Sequence, residues 1–126
     1  MQVPDGLLYT EEHEWILEME GSEARIGITD YAQDQLGDVV YVELPEVGKV
    51  VTKDDVLVEV ESTKSVGEVY APFAGTITGV NDAVSQSPEL VNKSPYEDGW
   101  LVTMSVEGKI PADQLLDSAR YKELTE

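Results

Sequence analysis

The chain contains no cysteine and a single histidine, His13, among its 126 residues. The missing thiols exclude a disulfide framework, a thiolate metal site and a cysteine nucleophile. A metal site would have to be built from carboxylates, and the sequence lacks the spaced acids around a central glycine that mark a calcium loop. No Gly-x-Ser-x-Gly elbow accompanies the histidine. We therefore interpret His13 as a structural residue beside Trp15 and identify no catalytic residue.

Basic residues are also scarce, because 8 Lys and Arg stand against 26 Asp and Glu, which gives a formal net charge of -18. Such a surface repels nucleic acid and anionic membranes, so we expect neither as a partner. The charge has two interpretations, either solubility or steering toward basic docking faces on partner enzymes, and sequence leaves both open. Like charges oppose self-association, so we expect a monomer.

Long apolar runs are missing as well, since no stretch approaches the roughly 18 uninterrupted apolar residues of a membrane span. The first residues have neither the basic start and apolar run of a signal peptide nor the Arg-rich character of a transit peptide. We therefore expect a cytoplasmic protein. Its length fits one domain over residues 1–126.

What is present is strand-like alternation, which predicts a mainly β fold. Glu14–Met19 and Glu23–Ile28 flank a Gly-containing turn and read as a hairpin. A short helix should follow, with Asp30 as its N-cap and Gly37 at its end. Val39–Leu44 then has the apolar and β-branched character of another strand.

The second half of the chain shows a rough internal symmetry between residues 48–56 and 75–83, each a strand running into a turn. Two such strand pairs can pack face to face as a small sandwich. The polar segment 81–100 predicts a surface connection with one short turn of helix. Leu115, Leu116 and Ala119 recur at helix spacing after Pro111, which predicts a C-terminal helical segment over about 111–125.

Lys64 has an unusual setting among the lysines of the chain. It lies at the expected tip of a hairpin over about 56–72, and its neighbours Ser62, Thr63 and Ser65 are small and uncharged. A modifying enzyme must fit such a tip into its cleft, so small flanks favour covalent attachment. The alternative is an ordinary solvent-facing lysine.

Several segments resemble glycine cleavage H proteins. Residues 61–65, Glu-Ser-Thr-Lys-Ser, and residues 70–75, Tyr-Ala-Pro-Phe-Ala-Gly, closely resemble that family's lipoylation segment. Four other stretches match the family in the right order: residues 9–15, 27–33, 36–45 and 94–101. The resemblance runs from about Tyr9 to the final helix.

The resemblance implies a barrel-sandwich hybrid, the flattened β fold of lipoyl and biotinyl carriers, with short added helices including a C-terminal one. It implies that Lys64 carries a covalent lipoate. Glu14 matches an acid of the family's cleft that contacts the aminomethyl group, and Glu61 belongs to the segment that a lipoate ligase recognises. By resemblance the chain is a carrier and not an enzyme.

The partners implied are the pyridoxal-phosphate glycine decarboxylase (P protein), the tetrahydrofolate-dependent aminomethyltransferase (T protein), dihydrolipoamide dehydrogenase (L protein), and a lipoate ligase or octanoyl transferase. An alternative is a relay that hands lipoyl or octanoyl groups to 2-oxoacid dehydrogenase complexes. A biotinyl carrier is disfavoured, because Thr63 and Ser65 stand where that family places methionines. An unmodified interaction domain is the remaining alternative. After the lysine the family usually has small residues and an aspartate; Glu68 keeps the acid, while Val66 and Gly67 alter the shape and flexibility of the tip, which leaves ligase preference open.

Overall fold

The computed structural model describes residues 1–125 as two antiparallel sheets with four short helices. The strands are β1 (Leu8–Tyr9), β2 (Glu14–Glu18), β3 (Glu23–Ile28), β4 (Val39–Glu43), β5 (Val50–Val51), β6 (Val56–Ser62), β7 (Val66–Tyr70), β8 (Gly75–Val80) and β9 (Val102–Ser105). The helices are α1 (Asp30–Leu36), α2 (Asp82–Gln86), α3 (Leu90–Lys93) and α4 (Ser118–Thr125). None of the helices in residues 1–125 has the length and apolar character that a membrane crossing requires.

The two sheets enclose the main apolar core. The larger sheet has the strand order β1-β2-β3-β9-β8-β5, and the smaller has the order β4-β6-β7. Ile26 and Met104 from the larger sheet and Val58 and Val60 from the smaller belong to the same buried cluster. Alternate residues on each strand point inward, so burial of one face fixes the register of both sheets. The mainly β fold predicted from alternation is confirmed.

The first predicted hairpin is also confirmed. β2 and β3 pair antiparallel from Glu14 opposite Ile28 to Glu18 opposite Ala24. The turn between them is a short 3-10 turn over Glu20–Ser22 in which Gly21 has φ 70° and Ser22 has φ 64°. A glycine accepts that left-handed conformation without steric cost, which is why the chain reverses here.

The predicted helix α1 forms, but its cap is one residue earlier than the predicted Asp30. Thr29 is the N-cap, since its hydroxyl accepts a hydrogen bond from the Ala32 backbone N–H at 3.1 Å. Asp30 lies inside the first turn, where its carboxylate accepts a bond from the Gln33 side chain at 2.8 Å. Gly37 ends the helix with φ 91°, as predicted.

The predicted C-terminal helical segment over about 111–125 forms, but it is interrupted in its first half. Residues Ala112–Gln114 form only a 3-10 turn, and α4 begins at Ser118. Leu116 lies between them and exchanges two backbone hydrogen bonds with Tyr9, at 2.7 and 2.8 Å. That bridge needs extended backbone, so the pairing with β1 prevents a helix at Leu116.

The internal symmetry does not produce two facing strand pairs. β5 and β8 lie side by side in the larger sheet, with Val50 opposite Thr76. The segment 81–100 holds two short helices, α2 and α3, in place of the single predicted turn. Asn81 caps α2 and donates from its amide to the carbonyls of Asp98 and Trp100, which folds the segment back on itself.

Candidate functional site

Lys64 lies at the exposed tip of the β6–β7 hairpin, as predicted. The Ser62 hydroxyl accepts hydrogen bonds from the backbone N–H groups of Lys64 at 3.2 Å and Ser65 at 3.0 Å. The Thr63 N–H donates to the Asp38 carbonyl at 3.0 Å, which ties the turn to the loop after α1. The backbone beneath the lysine is therefore held in place, while its side chain faces solvent.

The Lys64 side chain lies along Gly37 at the end of α1. A Cβ atom at residue 37 would stand 3.1 Å from the Lys64 Cε. Gly67 on β7 is covered in the same way, because a Cβ there would stand 3.2 Å from Leu36 Cδ1. Gly37 thus lets the lysine stem lie close to the end of α1, and Gly67 lets α1 pack closely against the hairpin.

Glu14, the first residue of β2, is a buried carboxylate with a relative exposure of 2%. One carboxylate oxygen accepts a bond from the Thr10 hydroxyl at 2.9 Å, and the other accepts one from the Tyr70 backbone N–H at 2.8 Å. Burial raises the pKa of Glu14 to about 7, because these two bonds only partly replace water. Glu14 therefore changes charge near neutral pH.

Two cavities meet at Glu14. A small cavity of about 80 Å³ lies under α1, and the residues that line it include Leu36, Gly67 and Glu14. A larger cavity of about 260 Å³ is lined by Glu14, Tyr70 and other residues. Leu36, which lines the small cavity, directly precedes Gly37, against which the Lys64 side chain lies, so the small cavity lies close to that side chain. We call this path from Lys64 to Glu14 the groove.

His13 has a structural setting, but its partner is not Trp15. Its ring lies 4.6 Å from that of Tyr31, centroid to centroid, and its Nδ1 is 2.8 Å from the Tyr121 hydroxyl. The Tyr121 hydroxyl is in turn 2.6 Å from the Thr29 hydroxyl. Burial lowers the pKa of His13, so the neutral imidazole is favoured. Trp15 bonds elsewhere, to the Pro95 carbonyl at 2.9 Å.

Glu61 lies apart from the groove. It is exposed on β6, where it stands opposite Tyr41 of β4 and Val66 of β7. The groove therefore contains Lys64 and Glu14 of the three predicted site residues, and Glu61 faces a different surface.

Sequence reasoning missed the groups that hold the buried carboxylate. Thr10 lies within the matched stretch 9–15, so its hydroxyl could have been noticed beside Glu14. The Tyr70 contribution is a backbone N–H, which leaves no trace in the residue type. Gly37 is more than the helix end that the sequence indicates, because it also makes room for Lys64.

Comparison with known proteins shows the family of the chain. The model of the family described as glycine cleavage H-protein matches residues 7–126. The chain belongs to the glycine cleavage H-protein family. It is 50% identical over 123 residues to a glycine cleavage system H protein of Kocuria rhizophila, covering 97% of this chain and 96% of that protein. It is 47% identical over 125 residues to one from Bacillus cereus, with 99% and 98% covered.

A solved H protein has the same fold. The crystal structure of a glycine cleavage system H protein from Mycobacterium marinum superposes with a TM-score of 0.87 at 37% identity, covering 98% of each chain. The lipoyl-type β fold with added short helices is thereby confirmed. As a member of the H-protein family, the chain is a carrier component of the glycine cleavage system and not a catalyst itself.

Proposed function

We propose that Lys64 carries a lipoyl group in amide linkage and that the chain shuttles the aminomethyl group of glycine. It would receive that group at the P protein, deliver it to the T protein, and present the resulting dithiol to the L protein. The observation that carries the proposal is an exposed lysine on a fixed turn, whose side chain lies at the start of a groove that reaches a buried carboxylate.

The residues of the groove suit such an arm. Gly37 leaves room for an aliphatic stem beside the hairpin, and the lining of the small cavity includes the apolar residues Ile28, Val60 and Val69. Lipoate would supply a disulfide that opens to take up a one-carbon unit and is later reoxidised. The chain has no cysteine that could exchange with that disulfide.

Glu14 would hold the amine end of the load. An ionised carboxylate accepts short, charge-assisted hydrogen bonds from an ammonium group. A cation in the groove favours the ionised form, so its arrival would lower the raised pKa of Glu14 and release a proton from the protonated fraction. Thr10 and Tyr70 position the carboxylate for that contact.

The proposal also includes the domain organisation of the carrier, its cellular location and the enzyme that modifies it. Residues 1–126 form one carrier domain that acts as a monomer in the cytoplasm. A lipoate ligase or octanoyl transferase modifies Lys64 and reads Glu61 as part of the exposed segment beside it. The acidic surface fits docking onto basic faces of the partner enzymes.

The first experiment is peptide mass spectrometry of the protein isolated from its own host. We expect a lipoyl mass on the Lys64 peptide, absent from Lys64→Arg. The lipoylated protein should then take up label from glycine when mixed with the P protein, and Lys64→Arg should not.

Other outcomes would point elsewhere. A lipoylated protein that the P protein does not load, but that donates its acyl group to 2-oxoacid dehydrogenase subunits, would replace the shuttle by the relay. An unmodified or biotinylated Lys64 in a lipoate-sufficient host would overturn the proposal.

A further inference from the structure

The smaller sheet has one face that no other part of residues 1–125 covers. Strand register places two rows of side chains on it: Tyr41, Glu61 and Val66 form the row nearer Lys64, and Glu43, Glu59 and Glu68 form the next. Residues two apart on a strand share a face, so all six point the same way, opposite to buried Val42 and Val60. We call these six residues with Val40 the outer face.

The row nearer Lys64 exposes large apolar side chains. Val66 has a relative exposure of 61%, Tyr41 of 49% and Val40 of 54%. A register shift between Val39 and Tyr41 inserts Val40 as an extra residue in β4, and bulges of this kind re-aim side chains. Two consecutive apolar residues of β4 therefore face solvent beside the hairpin that carries Lys64.

The second row is a line of like charges. Glu59 lies between Glu43 and Glu68 on adjacent strands. Repulsion, from Glu43 above all, raises the pKa of Glu59, which is half-buried. Like charges directly opposite one another destabilise a sheet. A basic side chain, Lys49, lies beside Glu43 and Glu59 in a shallow depression at the end of the sheet remote from Lys64.

Together the rows have the mixed composition of a docking surface. Tyr41 and Val66 expose apolar area on either side of Glu61, and three carboxylates form a charged rim along one side. We propose that the outer face binds the enzyme that acylates Lys64, through a complementary patch of apolar side chains bordered by Lys and Arg. This inference rests on the proposed function and adds to it the surface by which the modifying enzyme recognises the chain.

The acylating enzyme fits this surface better than the later partners do. Before acylation the chain has no arm, so recognition depends on the protein surface alone. The Lys64 amine must attack the carbonyl of an activated acyl donor, displacing AMP or a thiol and losing a proton as the amide forms. That reaction brings the enzyme within one lysine side chain of the hairpin, where Tyr41 and Val66 are the nearest exposed apolar groups of the adjacent strands.

The test is the steady-state rate of Lys64 acylation in the full-length unmodified protein, with a lipoate ligase from the same host, lipoate and MgATP. Val66→Ser removes part of the exposed apolar area of the outer face. Its matched control is Val50→Ser, since Val50 is 74% exposed on edge strand β5.

A triple variant neutralises the rim: Glu43→Gln, Glu59→Gln, Glu68→Gln. Its control carries the same charge change on exposed acids outside the outer face: Glu89→Gln, Glu107→Gln, Glu123→Gln.

We expect the rim variant to raise KM about tenfold at low salt with kcat unchanged, and Val66→Ser to raise it about fivefold, while both controls stay near wild type. Added salt should raise the wild-type KM and leave the rim variant almost unaffected. Equal KM values for the rim variant and its control at every salt concentration would overturn the docking surface. Melting temperatures close to wild type in all four variants establish that they are folded.

The two proposals fail differently. If Lys64 of the wild-type protein is not acylated at all, the proposed function is lost with the docking surface. If Lys64 is acylated but the rim and Val66 variants behave as their controls do, only the docking surface is wrong.

Discussion

The buried carboxylate of Glu14 should make the protein less stable as the pH rises, and Glu14→Gln should remove that dependence. The folded protein binds the Glu14 proton more tightly than the unfolded chain, because burial raises the pKa from 4.5 to about 7. Stability is therefore highest below the unfolded value and falls as the pH rises toward the folded one. Above the folded pKa the buried carboxylate is ionised, and the folded protein then bears the full free-energy cost of burying that charge.

The size of the effect follows from the two pKa values. A shift from 4.5 to about 7 corresponds to about 3 kcal/mol of unfolding free energy. Glutamine can keep both contacts, since its amide oxygen can accept from the Tyr70 N–H and its amide N–H can donate to the Thr10 hydroxyl. We expect Glu14→Gln to match wild type in acid and to exceed it by about 3 kcal/mol, or about 10 °C in Tm, above neutral pH.

The assay is urea unfolding of both proteins, followed by tryptophan fluorescence, at about pH 4 and about pH 8.5, which lie below the unfolded pKa and above the folded pKa of Glu14. Other titrating groups act equally on both proteins, so the difference between them isolates Glu14. Glu12→Gln is the control, since Glu12 is exposed beside the same cavities. If the difference in unfolding free energy between Glu14→Gln and wild type is the same at both pH values, the reasoning is refuted.

Three further substitutions, Gly37→Ala, Tyr121→Phe and Ser62→Ala, test the turn and the packing near it. The first two are each compared with a control substitution. Gly37→Ala should cost about 1–3 kcal/mol through its backbone strain and also slow acylation. Gly48→Ala, at φ 96° with no atom within 4 Å of the place that a Cβ would take, should be strained but acylated normally. Tyr121→Phe should lower the unfolding free energy by about 1–3 kcal/mol, because it removes the hydrogen bonds of Tyr121 with His13 Nδ1 and with the buried Thr29 hydroxyl. Tyr31→Phe should change it by less than about 0.5 kcal/mol. Ser62→Ala should cost about 1 kcal/mol and lower the acylation rate. Urea unfolding and the ligase assay measure each effect, and a normal acylation rate in Gly37→Ala would contradict the role given to that glycine.

Features fixed by neighbouring residues were predictable from sequence. The β2–β3 hairpin follows from alternation on both sides of Gly21, and the Lys64 hairpin follows from two β-rich arms around small polar residues. The end of α1 at Gly37 follows from the conformational freedom of glycine. Each depends on interactions within a few residues, which the sequence displays directly.

Features fixed by distant contacts were not predictable in the same way. Leu116 has helical spacing, but its backbone pairs with Tyr9, far away in sequence, and the bridge overrides local preference. The hydrogen bond that holds Glu14 comes from the backbone of Tyr70, 56 residues later. His13 has a tyrosine of the C-terminal helix as its partner, a contact of sequence separation 108. A single sequence does not reveal such pairs.

The bond between the Thr63 N–H and the Asp38 carbonyl has a consequence for transplanting the modification site. A tag made from residues 56–72 alone would carry the lysine and both arms, yet it would lack the loop that anchors the turn from the side. A portable acylation tag should therefore begin before α1, so that residue 38 and the helix end travel with the hairpin. The smallest transferable unit is set by that lateral bond and not by the length of the hairpin.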